Sequence, residues 1–446
     1  METTTKETVE LLQQLIRNAC VNDGTQASGQ EARSTDVLES YLEGAGADMQ
    51  RYESVPGRDN LVARIEGSDP KAPSLILMGH TDVVPVNPDR WRRDPFGGEV
   101  VDGELWGRGA IDMLNLTSSM AVAFRSLAAE GFRPRGTLIY LAVADEESLG
   151  TYGAKWMVEN EPDAVRADYL LTEEGGTRFP LGAESGPKLP VMVGEKGAYW
   201  CRLTVRGTPG HGSIPFRTDN ALVKAAEVVR RLAEYEPATN VHDVWRRFVE
   251  SLDLPRDISE QLLDPSRVLE FASSIDDLGL ARILHASTHT TIAPTILHGG
   301  VKTNIIPDTV QLDVDVRTLP GQSEQDIRAM IAEAIGDLAP EVEVEATGVD
   351  LASESPMETP LWDSLQRVTE ALVPGSKMVP FMQVGATDAR FFRRIGTTAY
   401  GYGLFSERIS FGEFMSMFHG DDERVDIESL ELTTGLWDAV VRDLLG

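Results

Sequence analysis

The sequence predicts an α/β protein: a mostly parallel sheet under helices, interrupted by a smaller α+β unit. Three observations carry this. Short apolar runs at 74–79, 137–143 and 168–172 alternate with helical stretches over the first 175 residues. Continuous apolar runs suit strands buried on both faces, and strand–helix alternation argues for a largely parallel sheet. Near Gly194 the pattern changes: residues 198–206, 309–317 and 341–346 alternate polar with apolar, as an antiparallel sheet covered on one side requires. After about residue 356, helical stretches and short apolar runs return at 361–373, 387–394 and 427–445. At ~100–200 residues per domain, 446 residues exceed one ordinary core. The predicted division is 1–194 and 356–446 as one domain, with 195–355 inserted as a second.

The elements follow in order. Val9, Leu12 and Ile16 form one helical stripe, with Leu11 and Leu15 beside it. That is an amphipathic helix, not a basic segment followed by an apolar run. A helix is predicted from about Leu114 to Ala129, ended by Gly131 and Pro134. Between 309 and 317, Val310, Leu312, Val314 and Val316 share one face; Gln311, Asp313, Asp315 and Arg317 share the other. Helical stretches at 219–234 and 322–337 would cover such a sheet. Residues 235–290 have weak periodicity and receive no assignment.

Composition bounds the function. Hydrophobic residues are 41% and charged residues 25%, ordinary for a globular chain. Acids number 71 against 41 bases, a net charge of −30. Such a surface repels phosphate backbones and anionic headgroups, so nucleic acid and acidic membranes are excluded as expected partners. No stretch approaches the ~20 apolar residues that span a bilayer. The only cysteines, Cys20 and Cys201, are far apart and read as free thiols, which suits a reducing compartment and a cytoplasmic location.

Chemistry-bearing residues collect at predicted strand ends. Gly79-His80-Thr81-Asp82 follows a strand, and residues i and i+2 of extended chain point the same way. Asp82 could then hold one ring nitrogen of His80 and leave the other for a metal. A strand-end histidine satisfied by its own aspartate reads equally well. Asp112, in Gly107-Arg108-Gly109-Ala110-Ile111-Asp112, precedes the predicted helix and on its own reads best as a helix cap. Asp145-Glu146-Glu147 places three mutually repelling acids after a strand. A cation would offset them, and adjacent carboxylates could divide into ligand and base; a charged loop is the plain alternative. Glu173-Glu174-Gly175-Gly176 repeats the pattern, and His419 sits in an acidic turn. Histidine with carboxylates and no cysteine suits zinc, manganese or cobalt, and the number of carboxylates suggests two ions.

The ordered segments GHTDVVP, GRGAIDM, ADEESLG, LLTEEGG, GHGSIP, TNIIPD, DVRTLPG, GATDARFF and FHGDDERV resemble the M20 family of zinc peptidases and deacylases, over roughly residues 60 to 430. The resemblance implies a zinc-exopeptidase-like catalytic domain interrupted by a lid and dimerisation domain. It implies His80, Asp112 and Glu174 on one zinc, and Asp112, Glu147 and His419 on the other, with Asp112 bridging. It implies Glu146 as general base, Asp82 orienting His80, and a cis bond from Asp112 to Met113. It further implies that His211 stabilises the oxyanion in a partner protomer of a homodimer, and that Asn304, Arg317, Gly385 and Thr387 contact substrate. Read from the residues alone, His211 is a turn histidine and Arg317 a surface ion-pair partner.

Where relatives carry lysine after this aspartate, the chain has Met113-Leu114-Asn115. The run at 173–175 and the length of 235–290 place the resemblance nearer the aminoacylase and carboxypeptidase S branch. The expected function is therefore a metal-dependent amidohydrolase acting on a dipeptide or N-acyl amino acid. Its rivals are a biosynthetic desuccinylase or deacetylase, a catalytically silent metal-binding ligand sensor, and an acidic α/β protein without metal.

Overall fold

The computed structural model describes residues 2–446. Its large sheet runs in the order 48–55, 58–65, 138–143, 75–80, 169–172, 398–401, 188–195 and 353–354, with 377–383 also paired to 188–195. The central strands are parallel: Leu75 lies opposite both Leu138 and Tyr169, and Thr398 opposite Tyr169. At one edge the strands are antiparallel, 48–55 against 58–65 and the latter against 138–143, while 377–383 pairs parallel with 188–195.

Both faces of the central strands are buried, which explains why they read as unbroken apolar runs. Leu75 and Leu77 enter one core with Leu11, Leu12, Phe124, Leu127 and Trp437. Ile76 and Met78, one residue out of phase, enter the other with Met157 and Phe392. Helices Glu2–Asn18, Leu114–Ala129 and Ile427–Leu445 pack together on the first face. Among the described residues, no helix is long and apolar enough to cross a membrane.

A separate four-stranded sheet runs in the order 291–299, 309–318, 197–206 and 342–350, antiparallel throughout. The buried positions of Thr309–Thr318 alternate along the strand. Val310, Leu312, Val314 and Val316 pack under Ala225, Val228, Ile327 and Ile331 of the helices Ala221–Glu234 and Glu324–Ile335.

Residues 195–355 do not form one unit on this sheet. The segment left without assignment folds into helices Asp243–Ser251, Arg256–Leu263, Val268–Ser273 and Leu278–Thr288. Trp245, Phe248, Leu262 and Leu284 of these helices pack with Phe179, Val379 and Phe381, residues of the large-sheet half. Phe248 meets Phe381 edge-on, with ring centroids 4.9 Å apart. The chain leaves the large sheet, returns to its edge, and only then completes the small sheet. Short helices with apolar residues gathered around an edge strand carry no long period, so the excursion left no periodic signal.

Candidate metal centre

Three neighbouring parallel strands deliver the site at their carboxyl ends, where ligands of open α/β sheets collect. Leu75–His80 ends on His80, opposite Val143, the last residue of Leu138–Val143. Tyr169–Thr172 ends one residue before Glu173. The loop before helix Leu114–Ala129 brings Asp112, whose bond to Met113 is cis.

The geometry centres on Asp112. Its Oδ1 lies 3.3 Å from His80 Nε2, and its Oδ2 lies 3.3 Å from His419 Nε2. His80 Nε2 is also 3.5 Å from Glu173 Oε2, and His419 Nε2 is 3.1 Å from Glu147 Oε2. Two groups result, His80–Asp112–Glu173 and Asp112–Glu147–His419, sharing one carboxylate. The His80 Nδ1 lies 2.9 Å from the backbone carbonyl of Asp82. A carbonyl only accepts, so Nδ1 carries the proton and Nε2 is the free ligand atom.

Two expectations change. Glu173, not Glu174, faces His80. Glu174, at φ +68°, lines the cleft but joins neither group. Asp82 orients His80 through its main chain, while its carboxylate stands 3.6 Å from Nδ1. That carboxylate instead accepts the backbone N–H groups of Glu146 and Glu147, each at 3.2 Å, and the Asn22 amide at 2.9 Å. It anchors the loop of the base as well as the ring of the ligand.

Asp145 does not join the repelling cluster. It takes φ +69° and points to Arg58, a fully buried guanidinium that also lies 3.0 Å from Glu31 Oε2. Asn22 bridges the two aspartates, donating to Asp145 at 3.0 Å and to Asp82. Neither Arg58 nor Asn22 was singled out from sequence, and a partner 87 residues away leaves no local signal. No local signal distinguishes Glu173 from its neighbour either.

The donor set fits divalent cations. Burial pushes the Glu147 carboxyl up to about 8, with Asp112 adding to the rise. Burial, then the Glu173 charge, raises Glu146 well above the carboxylate range. Hydrogen bonds to Asp112 and Glu147 lift His419 to about 10. At His80 burial opposes the charge, but the carboxylates of Asp112 and Glu173 outweigh it and raise the imidazole. Glu147 Oε1 is buried without a hydrogen-bond partner, an acceptor aimed at nothing in the chain. Oxygen and nitrogen donors in two groups around a shared carboxylate suit zinc or manganese.

A cleft of about 560 Å³ opens above the centre, between the two sheets. Leu149, Trp200, Met415 and Phe418 give it apolar wall, and Arg317 and Gly385 reach it. Asp315 holds Arg317 through Nε at 2.9 Å and Nη2 at 3.1 Å. Thr387 does not line the cleft; it is buried and its N–H donates to Glu195. His211 and Asn304 are also absent from the lining. They are exposed beside one another at a separate two-stranded pairing of Gly210–His211 with Ile305–Ile306, where Gly212 N–H donates to Asn304 O at 2.8 Å.

A sequence model of peptidase family M20/M25/M40 matches residues 76–443. The N-fatty-acyl-amino acid synthase/hydrolase PM20D1 of Xenopus tropicalis is 29% identical over 450 residues, 96% of this chain and 84% of that protein. A succinyl-diaminopimelate desuccinylase of Maricaulis maris is 34% identical over 208 residues, 45% of this chain and 50% of the relative. Among solved structures, the M20 family metallo-carboxypeptidase Sso-CP2 of Sulfolobus solfataricus shares the fold, with a TM-score of 0.72 at 17% identity, covering 100% of this chain and 99% of that one.

Proposed function

The chain belongs to peptidase family M20/M25/M40 and is a metallo-hydrolase, and from that premise we propose that it cleaves the amide bond of a small carboxylate-bearing substrate, a dipeptide or N-acyl amino acid. The observation that carries this reading is the position of Asp112, one carboxylate oxygen 3.3 Å from each of two histidines, with Glu146 beside them at the cleft floor. His80, Asp112 and Glu173 would hold one divalent ion and Asp112, Glu147 and His419 the other, zinc before manganese or cobalt. When bound, the ions supply polarisation of the scissile carbonyl and acidification of water.

Glu146 takes the proton of the attacking water and passes it to the leaving amine. Burial makes this carboxylate a stronger base than one in solvent. Asp82 keeps Glu146 in place through its backbone N–H. With Asp315 on Nε and Nη2, Arg317 retains Nη1 for the substrate carboxylate. The apolar wall of Leu149, Trp200, Met415 and Phe418 takes the acyl or side-chain group. The match of the Xenopus tropicalis N-fatty-acyl-amino acid enzyme over 96% of this chain supports an N-acyl amino acid.

His211 and Asn304 complete the site from a second copy of the chain. Both lie at the two-stranded pairing of Gly210–His211 with Ile305–Ile306, flanked in sequence by exposed Ile214, Phe216, Val301 and Ile305. Exposed apolar residues flanking these two positions support an association surface there. Buried, unpaired Cys20 and Cys201 favour a reducing, cytoplasmic setting.

The test is a substrate panel on metal-loaded protein: dipeptides, N-acyl amino acids and N-succinyl-diaminopimelate. Turnover of N-acyl amino acids or dipeptides is expected. Turnover of the succinyl compound alone would overturn the reading in favour of a desuccinylase, and binding without turnover would make the protein a ligand sensor.

A further inference from the structure

We propose that Glu423 is a positioning residue for the Asp112–Glu147–His419 metal position, fixing the loop that carries Asp112 against the turn that carries His419. The inference rests on the two-metal reading above and assigns a role that the ligands do not.

Glu423 is 0% exposed. Both of its carboxylate oxygens are fully engaged, and every donor lies on the loop 107–112. Oε1 accepts the N–H of Ile111 at 2.7 Å and of Asp112 at 3.0 Å. Oε2 accepts the N–H of Gly109 at 3.0 Å and Arg108 Nη1 at 2.7 Å. A carboxylate wrapped by three peptide N–H groups and a guanidinium holds that backbone through charge-assisted bonds, roughly twice as strong as neutral ones. The second of those peptides belongs to the bridging ligand itself.

The other end of the connection is the His419 turn. Glu423 follows His419 by four residues. Arg108 Nη2 donates to Gly420 O at 2.8 Å, and Gly107 N–H donates to Glu423 O at 2.9 Å. Immediately afterwards Arg424–Asp426 pairs with Glu104–Trp106. The turn is thus clamped to the loop at Gly420 and Glu423, just after His419, across a separation of 311 residues. Arg108 is itself 2% exposed.

The clamp acts on one metal position more than the other. His80 and Glu173 are carried by adjacent strands of the large sheet, whereas the Glu423 carboxylate hydrogen-bonds to the loop 107–112. Asp112 and His419 owe their relative placement to it. Metal–ligand distances tolerate only about ±0.2 Å, so a small slip between loop and turn separates Asp112 Oδ2 from His419 while leaving Oδ1 near His80.

The variant is Glu423→Gln, which keeps the volume but turns an NH₂ group toward donors on one side. Purified, metal-free wild type and variant are titrated with Co²⁺ by calorimetry and visible absorption, with His419→Ala as the reference for loss of this position. The expected result is a folded variant whose affinity falls about 10–100-fold at one position, with the residual spectrum of His419→Ala, and is unchanged at the other. Unchanged binding at both positions, or equal weakening at both, overturns the proposal. Should Glu423→Gln not fold, Arg108→Gln leaves the three peptide bonds in place and is expected to weaken the same position, less strongly; equal or absent weakening again overturns it. A wild type that takes up a single ion fails the two-metal reading first, a result distinct from either.

Discussion

Replacing Arg58 by Met would remove the one guanidinium enclosed with Glu31 and Asp145. The side chains of Arg58 and Glu31 are 0% exposed and that of Asp145 3%, so solvent does not screen the loss. Removing one partner of such a buried set costs about 3–5 kcal/mol, because the remaining charges stay buried. At ~2.1 cal/mol/K of unfolding entropy per residue, the 446-residue chain carries about 0.9 kcal/mol/K, so a cooperative melt should fall by about 3–5 °C. The pH dependence identifies the cause. Burial, with Asp82 adding to it and Arg58 opposing, already sets Glu31 at about 8, and burial raises Asp145 as well. A carboxyl raised in the folded state binds its proton there while the unfolded chain has released it. Its stability is therefore complete below the unfolded value and lost as pH climbs through the folded one. Without Arg58 both values rise further, so the deficit of the variant should be larger at pH 8 than at pH 5.5. Thermal melts by circular dichroism at both values measure this, and Glu31→Gln added to Arg58→Met should restore part of the loss. A deficit that is constant with pH, or that grows as pH falls, would refute the reasoning.

Glu146→Gln should retain two metal ions by elemental analysis while kcat falls at least ~100-fold; near wild-type turnover would sink the assignment of the base. Lys196, buried where its ammonium donates to Ala286 O at 2.8 Å and His289 O at 2.7 Å, is held at about 7 by burial, with Arg317 adding to the shift. The unfolded chain then binds more protons than the folded one from about 7 up to the ordinary lysine value, so stability should rise with pH across that window. The slope should flatten in Lys196→Met, read from melts at pH 7 and 9. Phe216 is 81% exposed, five residues after His211, and Phe216→Asp should convert a dimer to monomer in light scattering while reducing turnover through the loss of His211 from the partner site. A wild type that is monomeric and fully active would exclude that arrangement.

Much of the architecture was legible because it rests on local periodicity. Strands buried on both faces read as unbroken apolar runs, and strands covered on one face alternate. The helix predicted over 114–129 runs from Leu114 to Ala129, and the strand read at 309–317 runs from Thr309 to Thr318. The ends of three such strands also marked the site, because that is where a parallel sheet presents its ligands. Residues 235–290 were not legible. Their apolar residues match the edge around Phe179 and Phe381, a target that exists only once the large sheet has formed.

By itself, then, the sequence determined the fold class, the places where His80, Asp112, Glu147 and His419 would surface, and the family to which the chain belongs. The tertiary structure alone decided how neighbouring charges divide their work. It placed Glu173, not Glu174, against His80. It sent Asp145 to Arg58 while Glu146 and Glu147 faced the cleft, and it placed Glu423 under the Asp112 loop. The physical reason is common to all three. A carboxylate's role is set by which donors and cations surround it in a desolvated space, and those groups arrive from 87 to 311 residues away.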